Sequence, residues 1–91
     1  MNAAVGRIVV SRAGRDAGRR FVVIKVIDDL FVEICDGDLR RVEKPKRKKI
    51  KHLNITEDIA EGLAEKLKSG SRITNAEVRK ALADLSVEKE V

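Results

Sequence analysis

Two groups of cationic side chains dominate the chemistry this sequence could perform. Arg12, Arg15, Arg19 and Arg20 crowd one short stretch, and Lys44, Lys46, Arg47, Lys48, Lys49, Lys51 and His52 form a second. Guanidinium groups grip phosphate oxygens in pairs of hydrogen bonds, and lysines act as mobile point charges, so both groups suit a polyanion. If about six phosphates are held, affinity falls roughly 10³-fold or more between about 50 and 200 mM salt. Phe21 and Phe31 are the only aromatic residues, and the pattern places both in a core. Readers of single-stranded nucleic acid stack bases on such rings, so the composition favours recognition of backbone and shape in folded, double-helical RNA. The plainer reading of KPKRKK is a solvated face or a nuclear-import address.

Other chemistry finds little support. The single Cys35 and the single His52 could be imagined as nucleophile and base, but Cys35 falls inside a strand pattern, where a thiol serves as a small hydrophobe. Asp28, Asp29, Asp36 and Asp38 could be imagined as a cation site. Each falls in a turn, where aspartate is favoured for its hydrogen bonds to nearby backbone. Neither a glycine-rich phosphate loop nor a serine elbow is present. The residues therefore point away from an enzyme, a metal site or a cofactor.

The chain has 91 residues, enough for one domain with a small core. Its formal net charge is +5, unevenly placed: residues 1–53 hold 14 Lys and Arg against 7 Asp and Glu, whereas residues 54–91 hold 6 against 8. That asymmetry separates a polyanion-binding half from a half employed differently. One cysteine excludes a disulfide framework. No apolar run approaches the roughly 18 residues of a membrane span, and MNAAVGRIVV lacks the build of a secretory signal, so a reduced, cytoplasmic setting is expected.

Positioning these residues requires a scaffold, and the first half reads as short strands: Val5–Ser11, Arg20–Ile27, Leu30–Cys35 and Leu39–Val42. Asp28-Asp29 and Asp36-Gly37-Asp38 supply turn chemistry between them. Such spacing predicts a small antiparallel barrel over residues 1–43. In the second strand Val22, Ile24 and Val26 alternate with Phe21, Val23, Lys25 and Ile27, so both faces are largely apolar and the outer one needs a cover. Phe21, Val23 and Ile27 are assigned to that outer face, with Phe21 and Phe31 sharing a patch. Pro45 ends the strand pattern, and residues 44–53 read as a basic extension, too repulsive to fold on itself, that orders on binding.

Residues 54–91 read as two helices packed on the barrel. Asn54 with Glu57 has capping-box spacing ahead of Ile59, Leu63 and Leu67, Ser69-Gly70 stops that helix, and Gly62 marks a close approach to the barrel. Thr74 with Glu77 repeats the box ahead of Val78, Ala81, Leu82 and Leu85, and the chain frays after Ser86.

GRIVVSRAGRDAGRRFVVIKV resembles the KOW motif, a strand–loop–strand element of SH3-like barrels in ribosomal proteins and transcription elongation factors. Gly18 matches the motif's key glycine, with Gly14, Arg15, Asp16, Arg19 and the run Phe21 to Val26 around it. The match continues through DGDLRRVEKPKRKKIKHL, which is similar to small KOW-domain relatives of a large-subunit ribosomal protein of archaea and eukaryotes. ITNAEVRKAL is similar to the C-terminal region of short bacterial KOW-domain RNA-binding proteins. The resemblance implies an SH3-like barrel whose first loop and basic extension contact ribosomal RNA, with ribosomal proteins as further partners. The alternative is a protein-interaction module of the transcription or translation machinery, since KOW barrels of elongation factors also dock onto proteins.

Overall fold

Runs of β-branched residues form the first three strands close to where their alternation places them, because such side chains suit a pleated surface. In the computed structural model, which describes residues 2–90 with 86–90 as backbone only, β1 spans Arg7–Ser11, β2 Arg20–Val26 and β3 Phe31–Cys35. They pair antiparallel in succession, Val9 opposite Phe21 and Val23 opposite Ile34. The loop between β1 and β2 contains a 3-10 turn, Gly14–Asp16.

The fourth strand departs from expectation. Leu39–Val42 forms no strand, because the chain from Asp36 to Arg40 closes on itself. The Asp36 N–H donates to the Arg40 carbonyl at 2.9 Å, and Asp36 Oδ1 accepts the N–H groups of Asp38 and Arg40 at 3.0 and 2.9 Å. Backbone groups satisfied locally are not free for a ladder. Leu39 is left 63% exposed, and Val42 turns away, its N–H bonded to Asn75 Oδ1 at 2.8 Å. β4 forms instead from Lys46–Lys49, within the run expected to stay unfolded. Alternation relieves the repulsion there, sending Lys46 and Lys48 to one side and Arg47 and Lys49 to the other.

β5 covers Leu53–Ile59, where the Asn54–Glu57 spacing predicts a helix start. The local capping signal yields to the sheet: β1 needs a second neighbour, and Leu53 and Ile55 face the core opposite Ser11 and Val9. The sheet order is β4-β3-β2-β1-β5. Its two edge strands are linked only by a second 3-10 turn, Ile50–His52, so the sheet must curl until its edges approach. The Arg12 N–H closes the gap, donating to the His52 carbonyl at 2.8 Å. The result is the expected small SH3-like barrel with a helical tail.

Both faces of the sheet are buried at its centre. Inside lie Val9, Phe21, Val23, Val32, Ile34 and Leu53. Outside, Ile8, Val22 and Cys35 sit beneath α1 (Glu61–Lys68) and α2 (Asn75–Glu90), against Leu63, Ile73 and Val78. The outer face is covered as anticipated, but the assignment of β2 is reversed: Phe21 and Val23 point inward, and Val22 and Ile24 meet the helices. Two equally apolar rows do not reveal which is inside. Phe21 and Phe31 share no patch, since Phe21 is fully buried in the barrel and Phe31 is half-buried on the outside. Ile24 is the extra residue of a bulge, the register passing from Val23–Ile34 to Lys25–Glu33, and Ile27 lies 37% exposed beyond the strand.

Ser69-Gly70 ends α1 and the Thr74 box starts α2 as predicted, with Thr74 and Glu77 exchanging hydrogen bonds of 3.1 Å. Gly62 has open space about it, and the close approach occurs at Gly6, which abuts Ala64. α2 continues past Ser86 to Glu90, and Val91 lies outside the described residues. Among the described residues no helix is long and apolar enough to cross a membrane.

The Asp36-Gly37 turn joins barrel to helix. Gly37 has φ of 77°, its carbonyl accepts Arg79 Nη1 at 2.6 Å, and a Cβ there would strike the Asn75 carbonyl. Asp36, 5% exposed, accepts Arg19 Nε at 2.7 Å. Burial pushes its carboxyl upward, but Arg19 and the two backbone N–H groups prevail and hold it below the usual range.

Gly37→Ala should therefore cost about 2–4 kcal/mol, combining left-handed strain with overpacking. Gly18→Ala, at φ of 85° but facing open space, should cost only about 1 kcal/mol. Thermal melts of the two variants check the difference. A carboxyl depressed by folding stabilises fully above its unfolded value, about 3.9, and that stabilisation disappears as pH falls through the lower folded value. Asp36→Asn should lower stability at pH 7 by about 2 kcal/mol and flatten its decline below about pH 4, measured by urea unfolding at a series of pH values.

Candidate nucleic-acid interface

The two cationic groups of the sequence meet in space because β4 is tied to the loop after β1. Asp16, 5% exposed in the first 3-10 turn, accepts Lys46 Nζ at 3.0 Å and Arg40 Nη2 at 3.3 Å through Oδ2. The hydrogen bond from Lys46 holds the Asp16 carboxyl below its ordinary value against the opposing effect of burial, with the charge of Arg40 assisting. Lys48 stands opposite Val32, is nearly buried, and reaches from the strand to the Ala13 carbonyl, which accepts Nζ at 3.2 Å. These bonds fix the height and tilt of the loop against the strand. The backbone bond from Arg12 to His52 adds a third attachment, beside Lys51.

Four of the expected contact residues are thereby engaged within the fold. Lys46 and Lys48 anchor the loop. Arg19 bridges Asp36 at 2.7 Å and Asp38 at 3.4 Å, and Arg20 Nη1 donates to the Leu82 carbonyl of α2 at 3.1 Å. The remainder face solvent. Arg12 and Arg15 project from the loop, Lys44 precedes the strand, Arg47 and Lys49 occupy its outer side, and Lys51 stands in the second 3-10 turn. Among the described residues none of these six forms an ion pair. His52 is half-buried between them. Gly14 and Gly18, at φ of 77° and 85°, bend the loop at either end of the 3-10 turn. Exposed cations thus stand on the loop (Arg12, Arg15), in the second 3-10 turn (Lys51) and on the side of β4 turned away from the loop contacts (Arg47, Lys49).

Of the anchoring residues, Lys46 and Lys48 are among the expected contacts and Asp16 falls within the KOW resemblance, but nothing in the sequence marks Asp16 as a buried acid or Arg40 as its partner. A reading of KRKK as a strand of period two separates Lys46 and Lys48 from Arg47 and Lys49. Phe31 lies on the outer side as expected, but without Phe21, and beneath Arg47, whose guanidinium carbon is 4.3 Å from the ring centroid. Catalysis by the lone thiol has no footing, since Cys35 is fully buried and burial pushes it up to about 12.

No family model matches the chain. Individual proteins do. Over 80 residues, covering 88% of this chain and 74% of the relative, it is 35% identical to large ribosomal subunit protein eL14 of Hyperthermus butylicus. It is 40% identical over 53 residues to the eL14 of Desulfurococcus amylolyticus, covering 58% of this chain and 55% of that one. With the eL14 of Staphylothermus marinus it shares 36% identity over 64 residues, 67% of each chain. An identity of 35% sustained over 74% of a known protein extends well past the loop and its two strands, through the curled sheet and into the helices, and the chain belongs to the family of large ribosomal subunit protein eL14.

Proposed function

We propose that the chain is a non-enzymatic component of the large ribosomal subunit that holds structured ribosomal RNA by its phosphate backbone, in the cytoplasm and among neighbouring ribosomal proteins. The observation that carries this reading is the attachment of the β1–β2 loop to β4, which brings the two basic segments together while Lys46, Arg40 and Arg19 satisfy the buried carboxylates and Arg12, Arg15, Arg47, Lys49 and Lys51 stay exposed; on this reading those five act as one strip. Exposed cations outside ion pairs can release counterions from RNA, and their contacts to phosphate carry no base preference. Lys44 would extend the strip, and His52 would contribute a hydrogen bond. Lys46 and Lys48 act as positioning residues, since their ammonium groups are already committed.

The test is binding of the purified chain to fragments of large-subunit ribosomal RNA across a salt series. Log affinity should fall linearly with log salt, and the combined variant Arg12→Ala, Arg15→Ala, Lys51→Ala should lower the magnitude of that slope by roughly 2–3. Lys68→Ala with Lys80→Ala, on the helices, should leave the slope unchanged. A flat salt response for the native chain, or an unaltered slope for the triple variant, would overturn the reading.

A further inference from the structure

The outer side of β3 and β4 holds an arrangement that phosphate binding alone does not use. Phe31 and Glu33 stand opposite Lys49 and Arg47 across the ladder. Opposite charges placed directly across a pair of strands ordinarily attract one another. Arg47 nevertheless forms no ion pair with Glu33. Its guanidinium lies diagonally over the Phe31 ring, 4.3 Å from the centroid, and Lys49 Nζ is 5.9 Å from the same point. Attraction between cation and ring holds the guanidinium over the ring, where a planar guanidinium favours stacking. One face is covered by Phe31, and Arg47 as a residue is exposed.

That geometry is a flat, pre-set platform with hydrogen-bond donors around its rim. Unstacked bases of RNA are held on aromatic rings and on guanidinium planes, and every base offers a π-face for such a contact. Lys49, whose Nζ approaches the same ring, and Lys51, exposed in the second 3-10 turn, line one depression and supply cations for phosphate. Leu30, 65% exposed, lines this depression with Asp29, Ile50 and these two lysines and offers apolar contact to a sugar.

We infer that the Phe31–Arg47 stack is a subsite for one unstacked nucleobase of the bound RNA. The base lies on the outer face of the guanidinium, and its neighbouring phosphates rest on Lys49 and Lys51. The inference rests on the RNA-binding reading and adds to it a contact to a base, where the rest of the strip touches only backbone. Arg47→Lys keeps the charge and removes the plane. Phe31→Leu keeps apolar bulk and removes the ring that holds the guanidinium.

The experiment compares three RNA hairpins of equal stem length: one uninterrupted, one with a single bulged 2-aminopurine, and one with an abasic nucleotide at the bulge. The native chain should bind the 2-aminopurine hairpin about tenfold more tightly than either of the others, with a change in 2-aminopurine emission on binding. Arg47→Lys should abolish that preference and the emission change while leaving the salt slope intact. Phe31→Leu, its fold verified by circular dichroism, should do the same. Equal binding of the three hairpins by the native chain, or a preference retained in Arg47→Lys, overturns the subsite and leaves the backbone reading standing. Absence of binding to all three at about 50 mM salt overturns the backbone reading itself.

Discussion

The bond between Lys46 and Asp16 is the interaction on which the functional arrangement depends. A carboxylate with little exposure is tolerable only when it is paired and hydrogen-bonded. Asp16 meets that condition by taking one cation from β4 and another, Arg40, from the turn before it. The demand of one buried acid thus binds the first loop to a strand more than two dozen residues further on. With Lys48 held by the Ala13 carbonyl, the loop has no independent position. The basic segment of the loop and that of β4 are thereby held next to one another. A strand of four consecutive basic residues is stable for the same reason: half its charge is absorbed inward, and the outward half is spread over a ring and solvent.

The second constraint is a sheet with two apolar faces. A five-stranded sheet of this size curls to enclose one face, and the other must find helices. α1 and α2 are short or weakly amphipathic on their own, and their shared purpose is to cover Ile8, Val22 and Cys35. The Asp36-Gly37 turn is where the two constraints meet. Arg19, from the loop side, and Arg79, from α2, both terminate on it. Arg19, which in sequence looks like a phosphate contact, is spent on holding this corner.

The sequence was most informative where side chains of unambiguous preference repeat. The three β-branched strands, the Thr74 capping box, the Ser69-Gly70 stop and the two cationic groups were all legible. Three kinds of information were not. Which row of β2 faces inward depends on the volume of the finished barrel, and period-two alternation is silent about it. Whether Leu53–Ile59 becomes helix or strand depends on β1 lacking a second neighbour, a fact of topology that outranks the Asn54–Glu57 spacing. Whether a given arginine is free depends on which carboxylates are buried nearby, so Arg12 and Arg15 could not be told from Arg19 and Arg20. The resemblance to KOW barrels supplied the curled sheet, but not the division of its cations between anchoring and binding.

Placement of β5 beside β1 has a consequence for how the chain acquires its shape as it is made. Arg7 pairs with Ile59 and Ser11 with Leu53, so the first strand lacks one of its neighbours until β5 has left the ribosome. At about 5–20 residues per second this leaves the amino-terminal hairpins incomplete for a few seconds, with an open edge and a dense row of lysines arriving only late. Pairing between such distant segments slows closure. During that interval the newborn protein is a partly built, strongly cationic ribbon, a state in which early contact with an RNA or a chaperone would guard its unfinished edge.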